Sequence, residues 1–386
     1  MTASPSGPEP ADLLDRHSLR ERVEIELAAF LDAKLAELGA IDPDLSPVGE
    51  AICDLALDGG KRLRPAFAYW GWRGALAVPG PDDPPHEDEA SEPSQEVIIR
   101  AAASLELVQA GALIHDDVMD RATVRRGSPA LHVRFSDLHK RSGWAGSAAA
   151  FGQSVAIIAG DIALTWAQEM IRTSGLDGQA LARVAPAYDA MRIEVMAGQY
   201  LDLRGQADAR RPTEQALAAA WRTARYKSAT YTVQRPLHIG ALVTAEHDPR
   251  GPLLTAYNEY GFALGEAFQL RDDVLGVFGD PEQTGKPAGD DLREGKRTLL
   301  VILARQRASA NAQALFERML GRSDLSGLDI DQLRMVIEGS GALAQVEVLI
   351  AGRVEAARAA LAAGPVQGEP REVLAQLATA LTARDR

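Results

Sequence analysis

One cysteine, Cys53, stands in 386 residues, so neither a disulfide framework nor a cysteine-built zinc site is possible. That usage fits a reducing compartment, and a cytoplasmic location is the expectation. Aromatic residues make up 5% of the chain against 46% for apolar residues as a whole. The core must therefore come mainly from Ala, Leu and Val, a mixture that suits helices better than sheets. Seven histidines are scattered without ligand spacing. There is no basic tail and the net charge is −13, which argues against nucleic acid or an anionic membrane as a partner held by bulk charge. Met1 to Ala11 has neither a basic n-region nor an apolar h-region, so no signal peptide is expected.

Alternating β-branched runs and fixed-period repeats are also missing. What remains is helical periodicity. Apolar residues recur every three or four positions from Leu19 to Leu38, and Pro47 opens a second helical stretch that runs toward Gly59-Gly60. Pro79 to Glu96, rich in proline and acid, reads as a mobile surface insertion. From Val97 onward the pattern is helical, broken at Gly127-Ser128-Pro129, Gly175 to Gly178, Arg210-Arg211-Pro212, His247 to Pro252 and Gly279 to Gly289. Ser142 to Gly160 is uncharged and long enough to raise the question of a membrane span. Its glycines and serines read instead as a loop followed by a buried helix. The expectation is an all-α protein: a flexible segment 1–16, then a single domain 17–386 carrying the insertion 79–96.

Two aspartate clusters carry the chemistry. The first is His115-Asp116-Asp117-Val118-Met119-Asp120, the second Gln269-Leu270-Arg271-Asp272-Asp273. On a helix Asp116 and Asp120 share a face, with Asp117 about 100° round. Stacked carboxylates repel, so an isolated helix should avoid them. They become useful when hard cations sit between them and an anion, and Mg²⁺ characteristically shares its oxygen ligands between carboxylates and substrate phosphates. Both clusters lie in apolar sequence (Leu113, Ile114; Phe268, Leu270, Val274, Leu275), unlike a solvated acidic face.

Basic motifs accompany them. Gly59-Gly60-Lys61-Arg62-Leu63-Arg64-Pro65 joins two helices; its glycines permit positive φ and close approach, and its three cations offer an anion site. Arg125-Arg126 follows the first cluster, Lys227-Ser228 precedes the second, and Lys286 and Lys296 follow it.

Taken together, in this order, the motifs closely resemble the trans-isoprenyl diphosphate synthases, the polyprenyl synthetase family, from about Leu19 to the C-terminus. Gly160-Asp161, Gly198-Gln199 with Asp202, and Lys296-Arg297-Thr298 fall in the family's order too. The resemblance implies a helical bundle around a deep central cavity, a homodimer, and head-to-tail joining of isopentenyl diphosphate to an allylic diphosphate. It implies three Mg²⁺ ions, two held by Asp116 and Asp120 and one by Asp272, with Asp117 and Asp273 completing the catalytic clusters. Arg125, Lys227, Lys286 and Lys296 would contact the allylic diphosphate. Gly60, Lys61, Arg64, Gln109 and Arg126 would hold isopentenyl diphosphate, while Ser228 and Gln269 would face the allylic cation. The chain departs from the family pattern at Gln109, often His, and at Gly276, where the pattern has a third Asp.

Product length is expected to depend on the residues before Asp116. Ala112 lies one turn, about 5.4 Å, below Asp116 on the same face, and Gly111 adjoins it. Both are small where shorter-chain relatives often carry aromatics, and Val108 and Leu107 come next. Geranylgeranyl diphosphate (C20) is the expected product, with farnesyl or longer products as alternatives. The competing account is that Gly111 and Ala112 only permit close helix packing. Two other readings remain: a class I terpene cyclase, whose metal triad would map onto Asn258, Phe262 and Glu266, and a non-catalytic regulatory subunit, which would be expected to lose motif aspartates.

Overall fold

The computed structural model describes residues 10–78, 92–208, 211–244, 251–280 and 289–383. The helices in chain order are α1 (Pro10–Leu14), α2 (Leu19–Ile41), α3 (Ser46–Leu57), α4 (Leu63–Leu76), α5 (Glu92–Asp120), α6 (Leu131–Arg141), α7 (Ala148–Arg172) and α8 (Gly178–Ala207). Then come α9 (Thr213–Thr223), a π-helix (Ala224–Gln234), α10 (Arg235–Val243), α11 (Pro252–Phe278) and α12 (Asp290–Glu294). The last are α13 (Leu299–Arg307), α14 (Ala310–Met319), α15 (Gly327–Gly339), α16 (Ala342–Ala363) and α17 (Gly368–Ala380). Among the described residues the only strands are a two-residue antiparallel ladder, Val124–Arg125 with Ser128–Pro129. The all-α expectation holds.

The chain gathers into two compact units. One comprises 1–187, 236–249 and 367–370, the other 188–235, 250–366 and 371–386. In the first, α2 buries Leu19, Val23, Leu27 and Leu31, one residue per turn. Leu13 and Leu14 are buried too, while Asp12 and Asp15 beside them are exposed. α5 is the core helix: Ala101, Ala102, Ala103, Leu105, Leu107 and Val108 are fully enclosed. It packs mainly against α7, and the two backbones come close through glycines. A methyl at Gly111 would fall 2.8 Å from Leu164 Cγ and 3.0 Å from Gly160 O, and one at Gly160 would fall 2.8 Å from His115 Cε1.

α7 corrects one expectation. Ser147 caps it by accepting from Ala150 N, so the loop before it is as read, but the helix is not buried. Its most apolar 18-residue window is only 28% buried, against 72% for the corresponding window of α5. By length and composition alone both helices could cross a membrane. The outward face of α7 carries Ile157 and Ile158 together with the polar Gln153 and Ser154 and the exposed Asp161. The expected insertion 79–96 lies largely outside the described residues; α5 begins at Glu92.

In the second unit α11 is the axis, packed on the π-helix and α16. Tyr257 and Tyr260 are fully buried, and the Tyr260 hydroxyl donates to Leu374 O at 2.8 Å. Arg271 donates to Thr382 O and, through both terminal nitrogens, to Glu347 at 2.8 and 2.6 Å. That leaves the opposite side of α11 to present Gln269, Asp272 and Asp273.

Candidate active site

Within the first unit the site grows from the C-terminal turns of α5. Asp117 points inward, its side chain 3% exposed, and accepts from Arg125 Nε at 2.9 Å and from Arg125 Nη2. Asp116 and Asp120 share the adjacent face and stay partly accessible to solvent; Asp116 lies 3.5 Å from Arg125 Nη2. His115 Nε2 donates to Ile157 O at 3.0 Å and so ties this turn to α7. Arg125 reaches Asp117 because the chain reverses in two residues: Arg126 and Gly127 both have positive φ (51° and 77°), the backbone of a tight type I′ hairpin.

Arg126 is a non-glycine residue in the left-handed region, a conformation that costs about 1–2 kcal/mol. Its guanidinium is compensated by three carbonyls at the end of α3: Leu55 at 3.3 Å, Asp58 at 2.6 Å and Gly59 at 3.1 Å. Burial pushes that guanidinium below its ordinary value. Gly60 sits beside it, and a methyl there would lie 3.5 Å from Arg126 Nη2. The glycine pair has the positive φ expected of it, 59° and 126°.

The three cations of this loop do not act alike. Lys61 is exposed and Arg64 half-buried, but Arg62 turns inward. Arg62 Nη1 donates to Glu106 Oε2 at 2.7 Å and to Ala56 O at 2.8 Å. Of the three cations read together as an anion site, Arg62 is a buried tie to α5, which leaves Lys61 and Arg64. No sequence signal marked Glu106, because a lone glutamate in an apolar helix has no motif. Gln109, half-buried, lies one turn further along α5.

Chain-length expectations divide in the same way. Gly111 faces α7, where Leu164 and the Gly160 carbonyl leave no room for a Cβ, as the close-packing account of this glycine requires. Ala112 is only half-buried and shares the Asp116 face.

The second unit builds its own polar cluster on α8, the π-helix, α11 and α12. Lys227 Nζ donates to Asp202 Oδ2 at 2.7 Å. Gly198 lets α8 approach the π-helix closely, since a methyl there would fall 2.6 Å from Lys227 Cα. Gln269 Nε2 donates to Asp273 Oδ1 at 2.8 Å. Burial pushes the Asp273 carboxyl up to about 8; the Gln269 hydrogen bond opposes this, while Asp291, Asp272 and Asp202 reinforce it. Asp272 is half-buried beside it, and Ser228 is buried in the π-helix. Lys296 Nζ lies 2.5 Å from Glu294 Oε2 and 3.4 Å from Asp291 Oδ1. Lys286 lies outside the described residues.

The positions of a cyclase metal triad are committed elsewhere. Buried Glu266 pairs with Arg225 at 2.8 Å and with Arg353 at 3.0 Å. Asn258 accepts from Gln234 Nε2 at 2.5 Å, and Phe262 packs its ring under Arg225. Among the described residues, no three His, Cys, Asp or Glu side chains form a metal-holding group by themselves. Mg²⁺ does not require one, since it binds through one or two carboxylates and completes its shell with water and substrate phosphate. The Asp116–Asp120 pair and Asp272 fit that habit.

The polyprenyl synthetase family profile matches residues 47–336. The geranylfarnesyl diphosphate synthase of Aeropyrum pernix is 31% identical over 89% of this chain and 96% of its own length. The nonaprenyl diphosphate synthase of Mycobacterium tuberculosis is 26% identical over 88% and 89% respectively. Among solved structures, the geranylgeranyl pyrophosphate synthase of Corynebacterium glutamicum, complexed with isoprenyl diphosphate and magnesium, is 40% identical and superposes with a TM-score of 0.86. That alignment covers 95% of this chain and 99% of the other.

Proposed function

The chain belongs to the polyprenyl synthetase family, and from that premise we propose that it condenses isopentenyl diphosphate with an allylic diphosphate to give all-trans geranylgeranyl diphosphate. The chain is a prenyltransferase of the trans-prenyl diphosphate synthase type with an isoprenoid synthase fold. The C20 product is the finer step, and it is supported by the small Ala112 on the Asp116 face. Similar proteins carry the names geranylgeranyl, geranylfarnesyl and nonaprenyl diphosphate synthase, so the family alone does not choose among lengths.

The observation that carries the reading is the division of labour on α5. Asp117 is spent on Arg125, while Asp116 and Asp120 share a partly accessible face four residues apart. Asp116, Asp120 and Asp272 would hold Mg²⁺, three ions in all, which would offset the negative charge developing on a departing diphosphate. Lys227, Lys296 and Arg125 would bind that diphosphate by exchanging their present carboxylate partners for phosphate oxygens. Lys61, Arg64, Gln109 and the Gly60 backbone would orient isopentenyl diphosphate, with Arg126 bracing the loop behind them. In the reaction the allylic C–O bond breaks, the isopentenyl double bond forms the new C–C bond, and a proton leaves to the released diphosphate. Ser228 and Gln269 would orient their dipoles toward the transient cation.

A homodimer in the cytoplasm completes the proposal. The exposed Ile157–Ile158 pair on α7 supports self-association, since large apolar side chains left in water are commonly covered at an interface. The deciding experiment supplies labelled isopentenyl diphosphate with C5, C10 and C15 allylic primers, sizes the products, and runs gel filtration on the same protein. Predominant C15 or C25 product would overturn the C20 assignment. Absence of any elongation would overturn the reaction.

A further inference from the structure

Glu266 is buried in α11, its side chain 2% exposed, and each of its oxygens meets a guanidinium. Arg225 donates to Oε1 through Nη2 at 2.8 Å and Nε at 3.1 Å, while Arg353 Nε lies 3.0 Å from Oε2. The two arginines come from different helices, the π-helix and α16, and each lies over an aromatic ring. Arg225 stands 4.7 Å from the centroid of Phe262, one turn before Glu266, and Arg353 stands 5.0 Å from that of Trp221 in α9. A buried carboxylate needs such partners, and one that has two stays paired when either is removed.

The two arginines differ in what they fasten. α11 follows the π-helix in reverse order: Gly261 meets Gln234, Gly265 meets Ala229, and Glu266 then meets Arg225. Close glycine contacts hold the later turns, whereas at the first turn an ionic tie takes their place. That first turn also carries Lys227 and Ser228. Wide helical turns are rare outside single-turn bulges, and helix ends fray, so ordinary pitch would return first at this end. Arg353 leads instead to α16 and α9.

We propose that Arg225 and Glu266 are positioning residues: together they fasten the first turn of the π-helix to α11. They thereby set where the Lys227 ammonium and the Ser228 hydroxyl stand relative to Gln269 and Asp273, which follow Glu266 on the same face of α11. The kinetic half of this inference rests on the prenyl-transfer reading; the structural half does not.

Five full-length proteins test it: wild type, Arg225→Met, Glu266→Leu, their double variant and Arg353→Met. Methionine keeps an unbranched stem over the ring and loses the charge. Arg225→Met should lower kcat/KM for the allylic substrate about tenfold and leave the isopentenyl diphosphate KM within about twofold. Glu266→Leu should show the same split, and the double variant should be no worse than the poorer single one, since both changes remove one tie. Arg353→Met should keep both kinetic values within about twofold. Hydrogen exchange needs no activity: amides of 224–234 should exchange about tenfold faster in Arg225→Met than in wild type or Arg353→Met.

An allylic loss of similar size in Arg353→Met would make the cluster a matter of general stability and overturn the proposal. So would normal allylic kinetics in a folded Arg225→Met, additive losses in the double variant, or unchanged exchange across 224–234. Should Arg225→Met not fold, Arg225→Lys carries the same test, for it keeps the charge but cannot fork two donors onto one oxygen. A loss of about threefold is expected there, and wild-type kinetics would refute the idea. Failure of wild type to elongate any primer would instead sink the prenyl-transfer reading, and the exchange comparison would still decide whether Arg225 holds the turn.

Discussion

Removing the carboxylate of Glu106 isolates what the buried pair beneath the glycine loop contributes. The Arg62 and Glu106 side chains are 3% and 6% exposed and meet at 2.7 Å. Glu106→Ala leaves the guanidinium with Ala56 O at 2.8 Å, Leu57 O at 3.3 Å and Glu24 Oε1 at 3.4 Å. Breaking a buried pair from one side costs about 3–5 kcal/mol, and the surviving acceptors place this case near the lower figure, about 3 kcal/mol. Urea unfolding followed by circular dichroism should show a lower midpoint with an unchanged slope. Replacing both partners with apolar residues of similar length, Arg62→Met with Glu106→Leu, should recover most of the loss, because the desolvation cost disappears with the charges. Arg62 also holds the start of α4 in the left-handed region, φ 48°, between Lys61 and Arg64. Glu106→Ala should therefore raise the KM for isopentenyl diphosphate more than that for the allylic substrate. A loss of less than about 0.5 kcal/mol, the scatter of ordinary surface changes, would refute the argument. A double variant as unstable as the single one would show that packing rather than charge is at stake.

Asp116→Ala should lower turnover by orders of magnitude, and excess EDTA should abolish it; near-normal rates in either case would exclude the metal role. Ala112→Phe should shift products to C15 or shorter in a folded, active enzyme, whereas an unchanged product ladder would place the floor elsewhere. Gly111→Ala tests the neighbouring assignment: overpacking against Leu164 and Gly160 should cost about 1–3 kcal/mol in stability without changing product length. Cys53 is buried and its thiol is pushed up to about 11, chiefly by that burial. The reactive thiolate is therefore scarce at pH 8, and alkylation should be far slower in the native protein than in urea; equal rates would contradict the burial.

How legible the molecule was in its sequence depended on whether a side chain's direction follows from local geometry. The pairing of Asp116 with Asp120 follows from helix pitch, and positive φ at Gly59 and Gly60 follows from the absence of a Cβ. The direction of Arg62 does not, for it depends on a glutamate 44 positions away. Arg125 and Arg126 diverge because a two-residue hairpin, with a non-glycine residue at positive φ, has only a weak sequence signature there. Gly111 and Ala112 differ by one step of helix rotation, and only the location of α7 says which of them packs. The same holds for α7 itself. Its periodicity announces a helix, but apolar residues facing outward look, in sequence, like apolar residues facing a core.

The π-helix at Ala224–Gln234 makes residue count, rather than residue identity, the sensitive variable in that stretch. Wide turns of this kind are rare and usually last a single turn, yet here one runs for eleven residues under close glycine contacts, with Gly261 set against Gln234 and Gly265 against Ala229. Deleting one residue would let the backbone relax to the ordinary pitch, turning whatever precedes the cut by about 100° relative to whatever follows. Lys227 would swing away from Asp202 while Arg235 kept its grip on Glu194. Single-residue length changes in this segment should therefore be far rarer among functional variants than substitutions at Arg225, its one exposed position.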